Sequence, residues 1–173
     1  MGDTISYTLK ASAQQILGSL AHICRTAETY AKEMGYEETA LLEARLYPDM
    51  FPMVRQVQIA TDIARRGAMR LAGETPIPLE DDDVTFAALA ARCETALTDI
   101  MAQPDAALDE GPDSEIVMEI PSGELRMTKR EFLVRFTLPN MIFHASTAYA
   151  LLRMQGVKLG KMDFLNEGKA PGS

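Results

Sequence analysis

Apolar residues recur at intervals of three and four along four long stretches of the chain, which is the spacing of amphipathic helices. The first stretch runs from about Thr4 to Met34. Leu9, Ala13, Ile16, Leu17, Leu20, Ile23, Cys24, Ala27 and Ala31 share one face, and Gly35 follows as a stop that takes positive φ without steric cost. Ser12, Gln15, Ser19, His22 and Thr26 fall on the opposite face, so His22 reads as exposed or in a subunit interface. "EETALLEARL" then suits a short connecting helix. The second long helix is expected from Met50 to about Leu71, with Asp49 as N-cap, Pro52 in the first turn and Gly73 as the stop. Its stripe is Met53, Val57, Ala60, Ala64, Ala68 and Leu71.

The third long helix is expected from about Asp83 to Met101, on Phe86, Ala90, Cys93, Leu97 and Ile100. The acidic run ending "ETPIPLEDDD" suits its start, where carboxylates meet the positive end of the helix dipole. Pro104 and Gly111–Pro112 close it. In "EIVMEIPSGELRM" the period changes to two: Ile116, Met118 and Ile120 point one way, and Leu125 and Met127 answer them across a Pro-Ser-Gly turn, as in a β-hairpin. Thr128 and Glu131 are spaced as a capping box for the fourth long helix, which runs to Gln155 before Gly156. The architecture predicted is all-α, a four-helix bundle with a small β-hairpin between its third and fourth helices. One domain over residues 1–166 is expected, then a flexible C-terminal tail over 167–173, where "NEGKAPGS" carries no apolar pattern. Phe164 and Leu165 read as the residues that pin the chain end to the bundle.

Composition narrows the function classes. The chain has 173 residues, 47% of them apolar, and a formal net charge of −8, with no cluster of Lys and Arg. Nucleic-acid binding and membrane-surface binding both need such a cluster, so neither is expected. No apolar run reaches the roughly 18 residues of a membrane span. The start "MGDTISYTLK" lacks the pattern of a signal peptide, and two cysteines, Cys24 and Cys93, are too few for a disulfide framework, so a cytoplasmic protein is expected.

Candidate chemistry lies in the fourth helix. Its inward stripe reads Leu133, Phe136, Asn140, His144, Thr147, Leu151, so two strongly polar residues interrupt an apolar face one turn apart. A buried polar group without a partner costs about 1–3 kcal/mol, so these residues either meet partners or line a pocket. Pro139, just before them, is expected to kink the helix and free the carbonyl of Arg135. From the second helix, Gln56 falls within the apolar arc and is the better candidate to face Asn140 and His144, with Gln58 next. Asp62 lies further out with Arg55 and Arg66, as a solvated or ion-paired residue. Tyr149 reads as surface or interface, and Arg153 as a partner for the C-terminal helix dipole.

"ARLYPDMFPMVRQVQIATDIARRGAMRLAG" and "LPNMIFHASTAYALLRMQGVKLGKMDFL" resemble two signature blocks of a bacterial family of unknown function. With the opening helix, the resemblance covers about residues 3–166. That family is similar to the DinB/YfiT-like superfamily of four-helix bundles, many of which bind a divalent metal and some of which are thiol-dependent transferases or isomerases. The resemblance implies an up-down-down-up bundle, often dimeric. The superfamily metal site uses one histidine on the second helix and two, four residues apart, on the fourth. "HASTAYALLR" resembles the stretch that begins at the second of that pair, so His144 is the only ligand position matched. Asn140 stands where its companion would be, and the second helix offers Gln56 or Gln58. Amide oxygens hold zinc- and nickel-like ions poorly beside a single imidazole, so no cofactor is expected, and a divalent metal (zinc, nickel or manganese) is the lesser alternative.

Three readings follow. The first is a small-molecule-binding protein whose pocket is built from Gln56, Gln58, Asn140, His144 and Thr147, with His144 as its only candidate catalytic acid or base. The second is a metal- or thiol-dependent transferase or isomerase of the superfamily kind. The third is a homodimeric structural or interaction protein, using the polar small-residue face of the first helix.

Overall fold

A computed structural model describes residues 4–120 and 123–169. Its elements are α1 (Ile5–Met34), α2 (Glu38–Leu42), α3 (Met53–Leu71), α4 (Phe86–Ala102), α5 (Asp105–Asp109), β1 (Glu115–Ile120), β2 (Gly123–Thr128), α6 (Lys129–Glu131), a π-helical segment (Phe132–Thr137), α7 (Leu138–Met154) and α8 (Lys161–Asn166). The protein is mostly helical, with one two-stranded antiparallel sheet. No described helix is long and apolar enough to cross a membrane. α1 packs on α4 and α7, and α3 packs on the same two helices, so all four long helices close around one apolar core.

Local chemistry sets most element ends. The Thr4 hydroxyl accepts from the Tyr7 N–H and caps α1, and Gly35 ends the helix at φ 68°. Thr128 and Glu131 form the expected capping box. The hairpin pairs Ile116 with Met127 and Met118 with Leu125. Ile116, Met118 and Met127 pack against the core, which supplies the support a lone hairpin needs. The Pro121–Ser122 part of the expected turn lies outside the described residues.

Several expectations shift. α3 begins at Met53, with Pro52 rather than Asp49 at the N-cap position. α4 begins at Phe86 behind a Thr85 cap whose hydroxyl accepts from the Ala88 N–H. The carboxylates of Asp81 and Asp83 therefore do not sit on a helix start; they bind Arg92 instead. α5 follows Pro104, and its Asp109 accepts from the Ser6 N–H and hydroxyl at the start of α1.

The C-terminal part covers the polar face of α1. α8 lies along it, and His22 Nε2 stands 2.8 Å from an Asp163 carboxylate oxygen. Ser19 is fully buried. His22 is thus half-buried under this chain's own helix rather than free on the surface. Phe164 meets Tyr149 edge to face at 5.9 Å, which gives Tyr149 an internal partner, while Leu165 stays exposed and pins nothing. Glu167 to Lys169 close the end of α8, with the Gly168 N–H bonded to the Met162 carbonyl. The remainder of the expected flexible tail, residues 170–173, lies outside the described residues.

The fourth helix departs most from a simple wheel. Between α6 and α7 the Leu138 N–H bonds to the Leu133 carbonyl, five residues back. Pro139 has no N–H, and its ring would crowd the carbonyl four residues before it; the π turn spaces the ladder out just ahead of that obstacle. From the end of that turn onward Thr137, Met141, Ala145, Thr147, Ala148, Leu151 and Leu152 are buried, so Thr147 and Leu151 of the expected stripe lie in the core while Asn140 and His144 are half-buried. Gly67 of α3 lets the segment approach closely, since a Cβ there would stand 2.7 Å from Thr137 Cγ2.

Candidate functional site

Gln56 is held in the first turn of α3, its own N–H bonded to the Pro52 carbonyl. Its side chain is 2% exposed and makes two contacts. Gln56 Nε2 donates to the Phe51 carbonyl at 3.1 Å, and Gln56 Oε1 lies 2.7 Å from His144 Nδ1. These contacts assign the proton on His144. A carbonyl only accepts, so the amide nitrogen must face Phe51 and the amide oxygen must face the imidazole. Oε1 only accepts as well, so Nδ1 carries the hydrogen. Burial pushes the His144 pKa below its ordinary value, so near neutral pH the ring is uncharged and Nε2 holds a lone pair. Phe143 meets the ring edge to face, with centroids 5.1 Å apart.

The neighbouring residues of the stripe bond within α7. Asn140 Nδ2 donates to the Phe136 carbonyl at 2.7 Å, leaving its Oδ1 free to accept. That bond uses Phe136's carbonyl, one residue on from the Arg135 carbonyl expected to be freed. The Thr147 hydroxyl donates to the Phe143 carbonyl at 2.8 Å. The structure therefore brings Gln56 and His144 into direct contact. Asn140 and Thr147 flank His144 on α7 without bonding to it.

Gln58 belongs to a different cluster, which sequence reasoning missed. Its Oε1 accepts from Arg55 Nη1 at 2.8 Å, and its Nε2 donates to Asp83 at 3.1 Å. At the centre of that cluster is Arg92 of α4, whose side chain is only 4% exposed. Its Nε donates to the Thr61 hydroxyl at 2.8 Å, Nη1 to Asp83 at 3.0 Å and to the Glu80 carbonyl, and Nη2 to Asp81 at 3.0 Å. The available signal was an arginine beside an apolar stripe, a few residues after three consecutive aspartates. A cavity of about 510 Å³ adjoins this cluster, bounded by Phe51, Pro52, Arg55, Gln58, Asp81 and Asp83. Another of about 580 Å³ lies by the start of α1, against Asp109 and Arg130. Neither has His144 or Asn140 in its wall.

A divalent metal does not fit these residues. Among the described residues no three His, Cys, Asp or Glu side chains stand together to hold an ion. His144 offers a single imidazole lone pair, at Nε2, and the remaining donors on that face are an amide and a hydroxyl, poor partners for zinc or nickel. The thiols are no better placed. Burial pushes the Cys24 pKa up to about 12 and that of Cys93 well above its ordinary value, so both stay protonated in the core, without the thiolate that binds metal or attacks a substrate.

A mostly helical fold with a small antiparallel hairpin before its last long helix is a DinB-like architecture. The crystal structure of a DinB family member protein from Shewanella denitrificans is similar, with a TM-score of 0.82 and 32% identity over 95% of this chain and 92% of that one. The family described as a domain of unknown function, DUF1993, matches residues 7–165, and the chain belongs to it. No curated protein matches.

Proposed function

We propose that this protein is a single DinB-like four-helix-bundle domain over residues 1–166 that binds a small molecule at the α3–α7 face without a metal. The observation that carries the reading is the chain of hydrogen bonds from the Phe51 carbonyl through Gln56 to His144. It fixes one tautomer and leaves Nε2 as a neutral acceptor. Asn140 Oδ1 and the lone pairs of Thr147 lie on either side along α7, so the row accepts hydrogen bonds more than it donates them. The ligand class that suits it is a hydrogen-bond donor, such as an amine or a polyol. Where such a ligand reacts, His144 is the group that would take up its proton.

The test is a thermal-shift panel of amines, polyols and carboxylates on wild type and on His144→Asn. The asparagine Nδ2 can replace Nδ1–H toward Gln56, but nothing replaces Nε2. The variant is expected to melt like wild type and to lose the stabilisation that donor ligands give. Ligand stabilisation unchanged in His144→Asn would refute the reading. Wild type that responds to zinc, nickel or manganese instead would favour the metal-dependent transferase.

A further inference from the structure

Four arginines project from α3, and three have carboxylate partners: Arg55 with Asp81, Arg65 with Asp99, and Arg66 with Asp62. Arg70 is the exception. Its side chain is half-buried, yet no described residue gives its guanidinium a hydrogen bond or an ion pair. One turn earlier, Arg66 uses Nη1 on Asp62 at 2.8 Å, while its buried Nε has no partner. Burial, and after it the charge on Arg66, pulls the Arg70 pKa below its ordinary value. Like charges four residues apart weaken a helix, and an unpaired, partly desolvated charge weakens the fold further.

Both guanidinium groups line a cavity of about 230 Å³ between α3, the hairpin and the π segment. Asp62, the partner of Arg66, also lines it, and the remaining wall is apolar. Met118 and Ile120 come from the inner face of β1. Phe132 and Phe136 come from the π segment and stack with ring centroids 5.2 Å apart. The cavity therefore sets two guanidinium groups and one carboxylate, a net positive charge, against an apolar wall.

We propose that this cavity binds a small carboxylate that carries an apolar group. The planar guanidinium forks match a carboxylate, and the aromatic pair and hairpin residues cover the apolar part. The charge balance favours a monoanion, because Arg70 has no partner among the described residues whereas Asp62 already neutralises much of Arg66. The volume falls below the roughly 300–1,000 Å³ of sites for drug-sized ligands, which restricts the ligand to a fragment. The proposal is independent of the reading given for His144.

Benzoate is the probe, titrated into the full chain and followed by amide NMR and calorimetry. Saturable binding is expected with Kd about 1 mM or tighter, with shifts centred on Arg70, β1 and the π segment. Benzamide, its uncharged counterpart, should bind at least about tenfold more weakly. Arg70→Gln should weaken benzoate by about ten- to a hundredfold, the range expected for a lost charge-assisted hydrogen bond. Its melting temperature should match or exceed wild type, because no partner among the described residues is lost. Arg66→Gln is the second variant, expected to weaken benzoate less. The proposal is overturned if benzoate shifts fail to saturate, if they map to another surface, if benzamide binds as well, or if folded Arg70→Gln binds as tightly as wild type.

Discussion

Gln56→Glu tests the assignment of His144 directly. The glutamate retains an acceptor 2.7 Å from Nδ1 but turns a second oxygen toward the Phe51 carbonyl, where Nε2 now donates at 3.1 Å. Losing that bond and facing two acceptors should cost about 1–3 kcal/mol. The new carboxylate, 2% exposed in the wild-type position, favours the imidazolium. An opposite charge at hydrogen-bond distance raises a histidine pKa by about 1–3 units, each worth about 1.4 kcal/mol. His144 should thus move from below 6.5 to above it.

The sign of the pH dependence reverses with it. In wild type the folded pKa is depressed below the ordinary value of 6.5, so the unfolded chain binds more protons in that window. The contribution of His144 is present above pH 6.5 and is lost as pH falls through the folded value. In Gln56→Glu the folded pKa is raised, so the contribution is present below 6.5 and is lost as pH rises through the raised value. Urea unfolding of both proteins between pH 5 and 8 reads this difference. Imidazole NMR reads the pKa and tautomer directly, and with only two histidines in the chain a His22→Gln control assigns the signals. A wild-type ring protonated at Nε2, a wild-type pKa above 6.5, or a pKa that falls in Gln56→Glu would each refute the reasoning.

Other expectations follow from packing. Arg92→Met removes the guanidinium that holds Asp83, whose side chain is only 10% exposed, and should cost about 3 kcal/mol, discounted for the 45% exposed Asp81. In urea this appears as a midpoint lowered by about 1–2 M at unchanged slope, and adding Asp83→Asn should recover a large part of it; a loss under about 1 kcal/mol would contradict the network. Gly67→Ala drives a Cβ to 2.7 Å from Thr137 Cγ2, and the clash should exceed the helix-propensity gain by about 1 kcal/mol, or a few degrees in Tm. Thr137→Ala should rescue it, because the Thr137 hydroxyl is buried without a partner; a double variant no better than Gly67→Ala would point elsewhere. Cys24 and Cys93 should resist thiol reagents near neutral pH until the chain unfolds, and rapid labelling of the native protein would contradict their raised pKa values.

Half of the candidate site is legible in the spacing of residues along the chain. Wheel geometry puts Gln56 in the inward arc of α3 and names it as the residue to face His144, and the two are in contact. Gln58, two residues on, points into the Arg92 cluster instead. A wheel cannot foresee that, because the aspartate that claims Gln58 comes from a loop 25 residues away, without a period of its own.

The sequence by itself determined the four long helices, the hairpin and its inward face, the glycine stop of α1 and the capping box at Thr128, because each depends on groups within a turn or two of one another. Tertiary structure decided the rest. A π turn ahead of Pro139 interrupted the last long helix, and Asn140 and His144 came to lie half-buried on it while Thr147 and Leu151 of the same stripe went into the core. α8 folded onto the polar side of α1. Asp81 and Asp83 left the helix start they suited and closed on Arg92, while Arg70 was carried beside the hairpin with no partner among the described residues. Pairings of this kind depend on how helices cross and loops return, and those distances are set by the packed core rather than by spacing along the chain.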